Sequence, residues 1–138
     1  MRILLDTCAV IDLMTDSNSL DQGFKDIYDD PENIRYISAE TERELIVAFN
    51  NKRLLSKFFK TADDLLWSLQ KHYHIFVLPV TDGIMHTYAN LRLNESADHR
   101  DPSDHVIISH AITEHLTLLS SDAKFPFYRD QGLDLVEY

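Results

Sequence analysis

The stretch MRILLDTCAVIDL (residues 1–13) decides the fold. Its apolar residues run without alternation directly into Asp6, as in a buried strand of a parallel sheet. Apolar positions then resume with the spacing of a helix, from Thr7 to about Met14. A buried ionised carboxylate is unfavourable unless another group compensates its charge. Asp6 is therefore either the N-cap of the helix that follows or a ligand of a cation.

The composition predicts one ordinary globular domain over residues 1–138. Of the 138 residues, 44% are hydrophobic and 26% charged, which is enough for a single core, and no Pro-, Gly- or Ser-rich linker divides them. We predict a cytoplasmic protein with no membrane partner, because no apolar run is long enough to span a bilayer and Asp6 and Asp12 interrupt any signal-peptide pattern. The single cysteine, Cys8, has apolar neighbours and is predicted to be buried.

The net charge of −10 limits the partners that this protein can bind. Such a charge is unfavourable for holding a polyanion over the whole protein surface. It indicates that acidic residues gather around a cation, or that the protein binds a basic partner.

Strand and helix patterns alternate along the chain. Further strands are predicted at residues 34–38, 74–80, 116–120 and 133–138. Helices are predicted at 20–28, 39–49, from Leu54 onward, at 81–93 and at 102–114. Ser38 is the predicted N-cap of the second, a residue near Thr81 that of the fourth, and Asp101 that of the fifth, which has Pro102 in its first position. In the third, Leu54, Phe58, Leu65, Leu66 and Leu69 fall on the same face. This alternation predicts an α/β fold with a mostly parallel sheet covered on both faces.

Four carboxylates are predicted to meet at one end of this sheet. Asp6 ends the first strand, Asp122 follows the fourth, Asp104 lies in the first turn of a helix, and Glu44 lies about two turns into the helix after the second strand. Ligands bind beyond the carboxyl ends of the strands in open parallel sheets. Like charges in one cleft repel each other unless a cation compensates them, and carboxylate oxygens suit Mg²⁺ or Mn²⁺.

Each of these acids also has a local explanation. Asp6 and Asp122 could be caps, Asp104 suits the dipole of its helix and a capping box with Asp101, and Glu44 could be solvated. Only the joint placement of the four favours a metal site.

Four motifs resemble those of PIN-domain ribonucleases, with the nearest likeness to VapC-type toxins of bacterial toxin–antitoxin pairs. They are LLDTCAVIDL (4–13), ISAETERELIVAF (37–49), HRDPSDHVIISHA (99–111) and LTLLSSDAKF (116–125). The resemblance implies a PIN-like α/β/α sandwich, Mg²⁺- or Mn²⁺-dependent RNA cleavage that leaves 3′-hydroxyl and 5′-phosphate ends, a homodimer, and inhibition by a cognate antitoxin protein. It also implies a catalytic, metal-binding quartet of Asp6, Glu44, Asp104 and Asp122, accompanied by the hydroxyls of Thr7 and Ser120.

The chain departs from the family pattern in places. His105 stands where relatives often carry arginine, and Ala48 and Phe49 stand where a small residue is common. The stretch SAETERE offers three glutamates, and the pairing with a following leucine favours Glu44 over Glu40 and Glu42.

Within the quartet, Asp6 and Asp104 are predicted to bind the main metal ion, directly or through water, and Asp122 to complete the site. Glu44 would bind a second ion or orient the attacking water. Thr7, Ser120 and the nearby cap Asp101 would surround these ligands and hold their geometry.

Basic and imidazole side chains supply candidate RNA or partner contacts. Lys52, Arg53, Lys57 and Lys60 would share one helix face, which could receive RNA phosphates or acidic residues of the antitoxin, although a solvated face is the commoner explanation. Arg100 and Arg92 are alternatives nearer to the DPSD motif. His105 could contact RNA or the metal shell, but a packing role is favoured for it as for most of the seven histidines, whose spacing does not fit zinc.

Two other functions compete. A haloacid-dehalogenase-type phosphohydrolase also places an aspartate after its first strand. That chemistry uses a second acid two positions later, and this chain has Cys8 at that position. A degenerate PIN domain, or a receiver-like module, would bind proteins without catalysis, although no quartet member is missing.

Overall fold

A five-stranded parallel sheet forms the centre of the protein. The computed structural model describes residues 1–15, 17–54 and 59–138. The strands are ordered β3-β2-β1-β4-β5, and every neighbouring pair is parallel. Their bounds are β1 Arg2–Leu5, β2 Ile34–Ser38, β3 Ile75–Leu78, β4 Thr117–Ser120 and β5 Asp134–Glu137. All five lie where the sequence predicted strands.

Helices connect the strands. The α-helices are α1 Thr7–Thr15, α2 Gln22–Asp29, α3 Ala39–Asn50, α4 Ala62–Lys71, α5 Asp82–Ala89 and α6 Pro102–Glu114, with short 3-10 helices at Ser17–Ser19, Glu95–Ala97 and Phe125–Gln131. Ser38 caps α3 and Asp101 caps α6, each by accepting a backbone N–H with its side chain. The predicted start signals of these two helices are therefore confirmed.

Both faces of the sheet are covered, as predicted for an α/β/α sandwich. Along β1, Ile3 and Leu5 pack on one face and Leu4 on the other, because side chains alternate along a strand. The first face carries apolar residues of α1 to α4, and the second carries those of α6 and the last 3-10 helix. Since β1 is central and buried on both sides, Asp6 at its end enters a largely dehydrated region.

The predicted helix from Leu54 onward is wrong at its start. Leu54 is fully buried but not helical, and α4 begins only after Thr61, whose hydroxyl accepts the N–H of Asp64 at 3.0 Å. Lys52 has a left-handed backbone (φ 60°) in the turn that ends α3, and the N–H of Arg53 bonds to the carbonyl of Ala48. Lys57 and Phe58 lie outside the described residues.

Two further expectations are corrected. Cys8 is exposed, because α1 turns Ala9, Val10 and Leu13 toward the core instead. The helix predicted over 81–93 ends at Ala89. Among the described residues, no helix has both the length and the apolar character needed to cross a membrane.

Candidate metal centre

The sheet topology brings the predicted acids to one edge. The N–H of Asp6 donates to the carbonyl of Leu119 at 3.1 Å, so Asp6 lies at the carboxyl end of β1 beside β4. Asp122 follows β4 by two residues, and α3 and the start of α6 extend over the same edge. Acids from four segments far apart in sequence therefore share one pocket, consistent with the position of ligand sites in parallel sheets.

Asp6 is the most buried of the four acids, with 5% of its surface exposed. One carboxylate oxygen accepts the N–H of Thr7 and the other accepts the hydroxyl of Ser120, both at 2.8 Å. The Ser120 oxygen in turn accepts the N–H of Asp122 at 3.1 Å. Burial raises the pKa of Asp6 to about 6 against the lowering effect of Ser120, and the nearby charges of Asp104 and Asp122 raise it further. Neutral donors thus hold this carboxylate, and its charge stays uncompensated.

Glu44 is the glutamate that contacts this group. The Thr7 hydroxyl donates to a Glu44 carboxylate oxygen at 2.7 Å, so the Thr41 hydroxyl, 3.0 Å away, must donate to Thr7. Burial raises the pKa of Glu44, and the charges of Asp101 and Asp6 add to the effect.

The two other glutamates of this helix have different surroundings. Glu40 accepts hydrogen bonds from Arg43 and from the Ser103 hydroxyl, the latter at 2.6 Å. Partial burial works against ionisation of Glu40, but these hydrogen bonds and the Arg43 charge hold its pKa below the usual value. For Glu42, the contacts among the described residues include none with Asp6, Thr7 or Asp104.

Asp104 receives its hydrogen bond from a residue that sequence reasoning did not place in the site. Its Oδ2 lies 2.9 Å from Nε2 of His99, a ring that is 3% exposed. Burial raises the pKa of Asp104 to about 7, the charges of Asp101, Asp122 and Glu44 add to this, and the Lys124 charge offsets part of it. In the sequence, His99 stands five positions before Asp104 with no periodic pattern, so no local signal points to its contact.

The donor set fits a divalent cation. One ligand atom each from His99, Asp104 and Asp122 lie within 4.8 Å of one another. Carboxylates suit Mg²⁺ and Mn²⁺, and a neutral imidazole is also accepted by transition metals. Because Asp6 and Glu44 raise the negative charge next to this group, a cation bound here would relieve repulsion in the pocket.

Thr7, Ser120 and Asp101 were predicted to surround the ligands, and His105 was considered as an RNA contact; the structure places them in three different environments. Thr7 and Ser120 bond directly to acids of the pocket. Asp101 is exposed at the rim, where its carboxylate accepts the N–H of Ser103 and its charge raises the pKa of Asp104. His105 is only 2% exposed and its Nε2 bonds to the carbonyl of His99 at 3.0 Å. This burial argues against the RNA or partner contact considered for His105 and fits the packing role that the sequence favoured.

The described members of the predicted basic face do not lie on a helix. Lys52 and Arg53 are exposed in the turn after α3, Lys60 precedes α4, and Lys57 lies outside the described residues. The predicted contact Arg100 is exposed and paired with Asp98 at 2.6 Å. Two unpredicted cations lie nearer the pocket. Arg43 is bonded to Glu40 and Ser103, and Lys124 is close enough to lower the pKa of Asp104.

Comparison with known proteins agrees with this architecture. The model of the PIN domain family matches residues 3–130, and the chain belongs to this family. This decides against the haloacid-dehalogenase alternative. Comparison with curated protein sequences gave no significant match.

The same fold occurs in solved toxin–antitoxin structures. VapBC2 from Rickettsia felis is 20% identical over 99% of this chain and 98% of that one, with a TM-score of 0.72. VapBC-1 from nontypeable Haemophilus influenzae is 22% identical over the same shares, with a TM-score of 0.70. FitAcB from Neisseria gonorrhoeae is 19% identical over 98% of this chain and 96% of that one, with a TM-score of 0.64. At such identities the likeness shows the shared fold.

Proposed function

We propose that this PIN-domain protein is a divalent-metal-dependent ribonuclease and the toxin of a toxin–antitoxin pair. One observation carries the proposal: a buried acid, Asp6, lies among half-buried ones, and the hydrogen-bond donors to the pocket acids are amide, hydroxyl and imidazole groups. Within the described part of the chain, no lysine or arginine forms an ion pair with Asp6, Glu44, Asp104 or Asp122. Such a group of carboxylates is stable as anions when a cation binds.

Mg²⁺ or Mn²⁺ would be held by Asp104 and Asp122, with Asp6 beside them. When bound, the ion lowers the pKa of a coordinated water and neutralises charge that develops on the scissile phosphate. Ser120 holds Asp6 and the backbone of Asp122 in fixed relation to each other. Glu44, held by Thr7 and with a raised pKa, is suited to accept a proton from the attacking water.

An antitoxin protein is the proposed partner. The similar solved structures include a toxin–antitoxin complex from Klebsiella pneumoniae and a VapBC complex from Salmonella typhimurium bound to DNA. The net charge of −10 and the acidic pocket favour a basic inhibitory segment. The single domain over residues 1–138, the homodimer and the cytoplasmic location stay predictions.

Purified protein tests the proposal directly. We expect Mn²⁺ or Mg²⁺ to support cleavage of a subset of structured RNAs, such as individual tRNAs, with 5′-phosphate products, and EDTA to abolish it. Asp6→Asn should abolish cleavage, while Asp130→Asn, an exposed acid paired with Arg92, should not. Metal-independent cleavage, or full activity of Asp6→Asn, would contradict the proposal. The non-catalytic alternative predicts tight partner binding with every RNA left intact.

A further inference from the structure

A buried chain of hydrogen bonds stands behind Asp104. The backbone N–H of Asn94 bonds to the Tyr128 hydroxyl at 3.0 Å, that hydroxyl lies 2.9 Å from Nδ1 of His99, and Nε2 of His99 lies 2.9 Å from Oδ2 of Asp104. Tyr128 is fully buried and His99 nearly so. The segment 94–104 and Tyr128, which is 29 positions after His99, thus form one chain of hydrogen bonds that ends on a carboxylate oxygen.

Counting hydrogens assigns the direction of this chain. An amide N–H can only donate, so the Tyr128 oxygen accepts from Asn94, and the one hydroxyl hydrogen remains for Nδ1 of His99. Nδ1 is then an acceptor, and Nε2 carries the ring hydrogen. The same tautomer follows from the other end, because an ionised Asp104 can only accept.

The backbone and ring of His99 are also held in place. Nε2 of His105 bonds to the carbonyl of His99 at 3.0 Å, and the two rings are in edge contact, with centroids 4.8 Å apart. The Asn94 side chain donates to the carbonyl of Lys124 at 3.2 Å, which ties this loop to the segment that follows Asp122. The imidazole is therefore rigid before any ligand arrives.

Direct ligation by His99 would disturb this arrangement. Nε2 would have to give up its hydrogen to Nδ1, and the Tyr128 hydroxyl would then accept twice and lose the acceptor of its own hydrogen in a buried site. An unsatisfied buried hydroxyl is unfavourable. The proximity of Nε2 to Asp104 and Asp122 is accordingly better explained by a donor to the carboxylate than by a metal ligand.

From this geometry we infer that His99 is a positioning residue: its neutral ring, set in one tautomer by Tyr128 and Asn94, donates to Oδ2 of Asp104 and would hold this carboxylate in place for a cation. This inference rests on the proposed metal site. Hydrogen-bonded partners of metal ligands typically contribute 10–100-fold to metal affinity.

Metal affinity of variants tests the inference without using cleavage. Isothermal titration with Mn²⁺ should show affinity reduced roughly 10–100-fold in His99→Ala. His99→Gln can place an amide N–H near the position of Nε2 and should recover most of the loss. His86→Ala, which removes an exposed histidine, serves as the matched control and should bind like the wild type. Equal affinity of wild type and His99→Ala would overturn the inference, as would failure of His99→Gln to bind better than His99→Ala.

Two spectroscopic measurements on the wild type test the tautomer and the ligation of His99 directly. Nitrogen NMR of the histidine rings should show the His99 hydrogen on Nε2, and Tyr128→Phe should weaken that preference. Electron spin-echo spectroscopy of bound Mn²⁺ should show no directly coordinated imidazole nitrogen. A hydrogen on Nδ1, or a bound nitrogen that His99→Gln removes, would overturn the inference.

The inference and the proposed function fail in distinguishable ways. A wild type that binds Mn²⁺ but cleaves no RNA would contradict the ribonuclease proposal, while the ranking of the variants would still decide the role of His99. A wild type that cleaves RNA, with Mn²⁺ affinity unaffected by His99→Ala, would overturn the role of His99 alone.

Discussion

Four carboxylates paired with arginines outside the pocket contrast with the carboxylates inside it. Outside, Glu40 is paired with Arg43, Asp98 with Arg100, Asp130 with Arg92 and Glu137 with Arg129. Inside, the hydrogen-bond donors to Asp6 and Asp104 are neutral groups. Burial and the charges of neighbouring acids raise their pKa values to about 6 and about 7. The pocket thus holds negative charge that no lysine or arginine among the described ion pairs neutralises.

A single helix shows both situations. Glu40 and Glu44 are one turn apart on α3, yet the pKa of Glu40 is lowered by Arg43 and Ser103, while burial raises that of Glu44. Partner and burial, not residue type or helix position, decide which glutamate can serve the pocket. The following experiments test this contrast, from the largest expected effect to the smallest.

Asp104→Asn removes one of the uncompensated charges of the pocket and should have the largest effect on activity. Removing a metal-binding charge should lower RNA cleavage at saturating substrate by at least roughly 100-fold. Asp130→Asn is the control outside the pocket and should leave the rate unchanged, because its pair with Arg92 is exposed. Single-turnover cleavage of one RNA substrate by both variants measures the difference, and a similar loss in both would refute the contrast.

The pH dependence of stability should report the uncompensated acids. A carboxyl group whose pKa is raised on folding binds more protons in the folded than in the unfolded state, so stability falls as pH rises. For Asp6 and Asp104 this loss should occur between about pH 4 and pH 7, on the order of 3–4 kcal/mol each. Urea denaturation in EDTA should therefore show Asp104→Asn gaining stability relative to the wild type from pH 5 to pH 8.

The same urea denaturation can be repeated with added Mn²⁺ in place of EDTA. Mn²⁺ should restore the stability of the wild type at pH 8 and have little effect on Asp104→Asn. A wild type that becomes more stable relative to this variant as pH rises in EDTA would show that a cationic side chain compensates the pocket.

Replacing each of the two glutamates of α3 by glutamine tests which one serves the pocket. Glu44→Gln should lower the cleavage rate by roughly 10–100-fold, because it removes the proposed proton acceptor. Glu40→Gln keeps an oxygen that can accept from Arg43 and Ser103 and should change the rate less than about 3-fold, within the range of a lost exposed ion pair. The opposite ranking would assign the site glutamate to Glu40.

An outer ion pair should matter least. Arg92→Ala removes the exposed pair with Asp130 and should change the free energy of unfolding by less than about 1 kcal/mol, with cleavage unchanged. Chemical denaturation together with the cleavage assay checks both. A large loss of activity would instead support the RNA contact that the sequence offered for Arg92.

The elements of the fold were predictable because their signals are local. Unalternating apolar runs marked the strands, and Ser38 and the Asp101-Pro102 pair marked the starts of α3 and α6. The error at Leu54 has a physical reason: this residue is buried because distant parts of the core cover it, while its backbone is not helical. Cys8 was misjudged because apolar neighbours in sequence do not specify which side of α1 faces the core.

The candidate site was predictable to the level of which segments meet. His99 was missed because its contact depends on Tyr128, 29 residues later in the chain, and on a loop whose path has no sequence pattern. The predicted basic face depended on a continuous helix, and its described members Lys52, Arg53 and Lys60 lie outside α3 and α4.

The sequence by itself determined the alternation of strands and helices and, through it, the gathering of acids at the carboxyl edge of the sheet. Only the tertiary structure decided which acids are neutralised and which are left uncompensated. The Ser103 hydroxyl reaches Glu40 across 63 positions of chain, and the Ser120 hydroxyl reaches Asp6 across 114. Hydrogen bonding and burial act over a few ångströms, so these partnerships arise only where packing brings distant segments into contact.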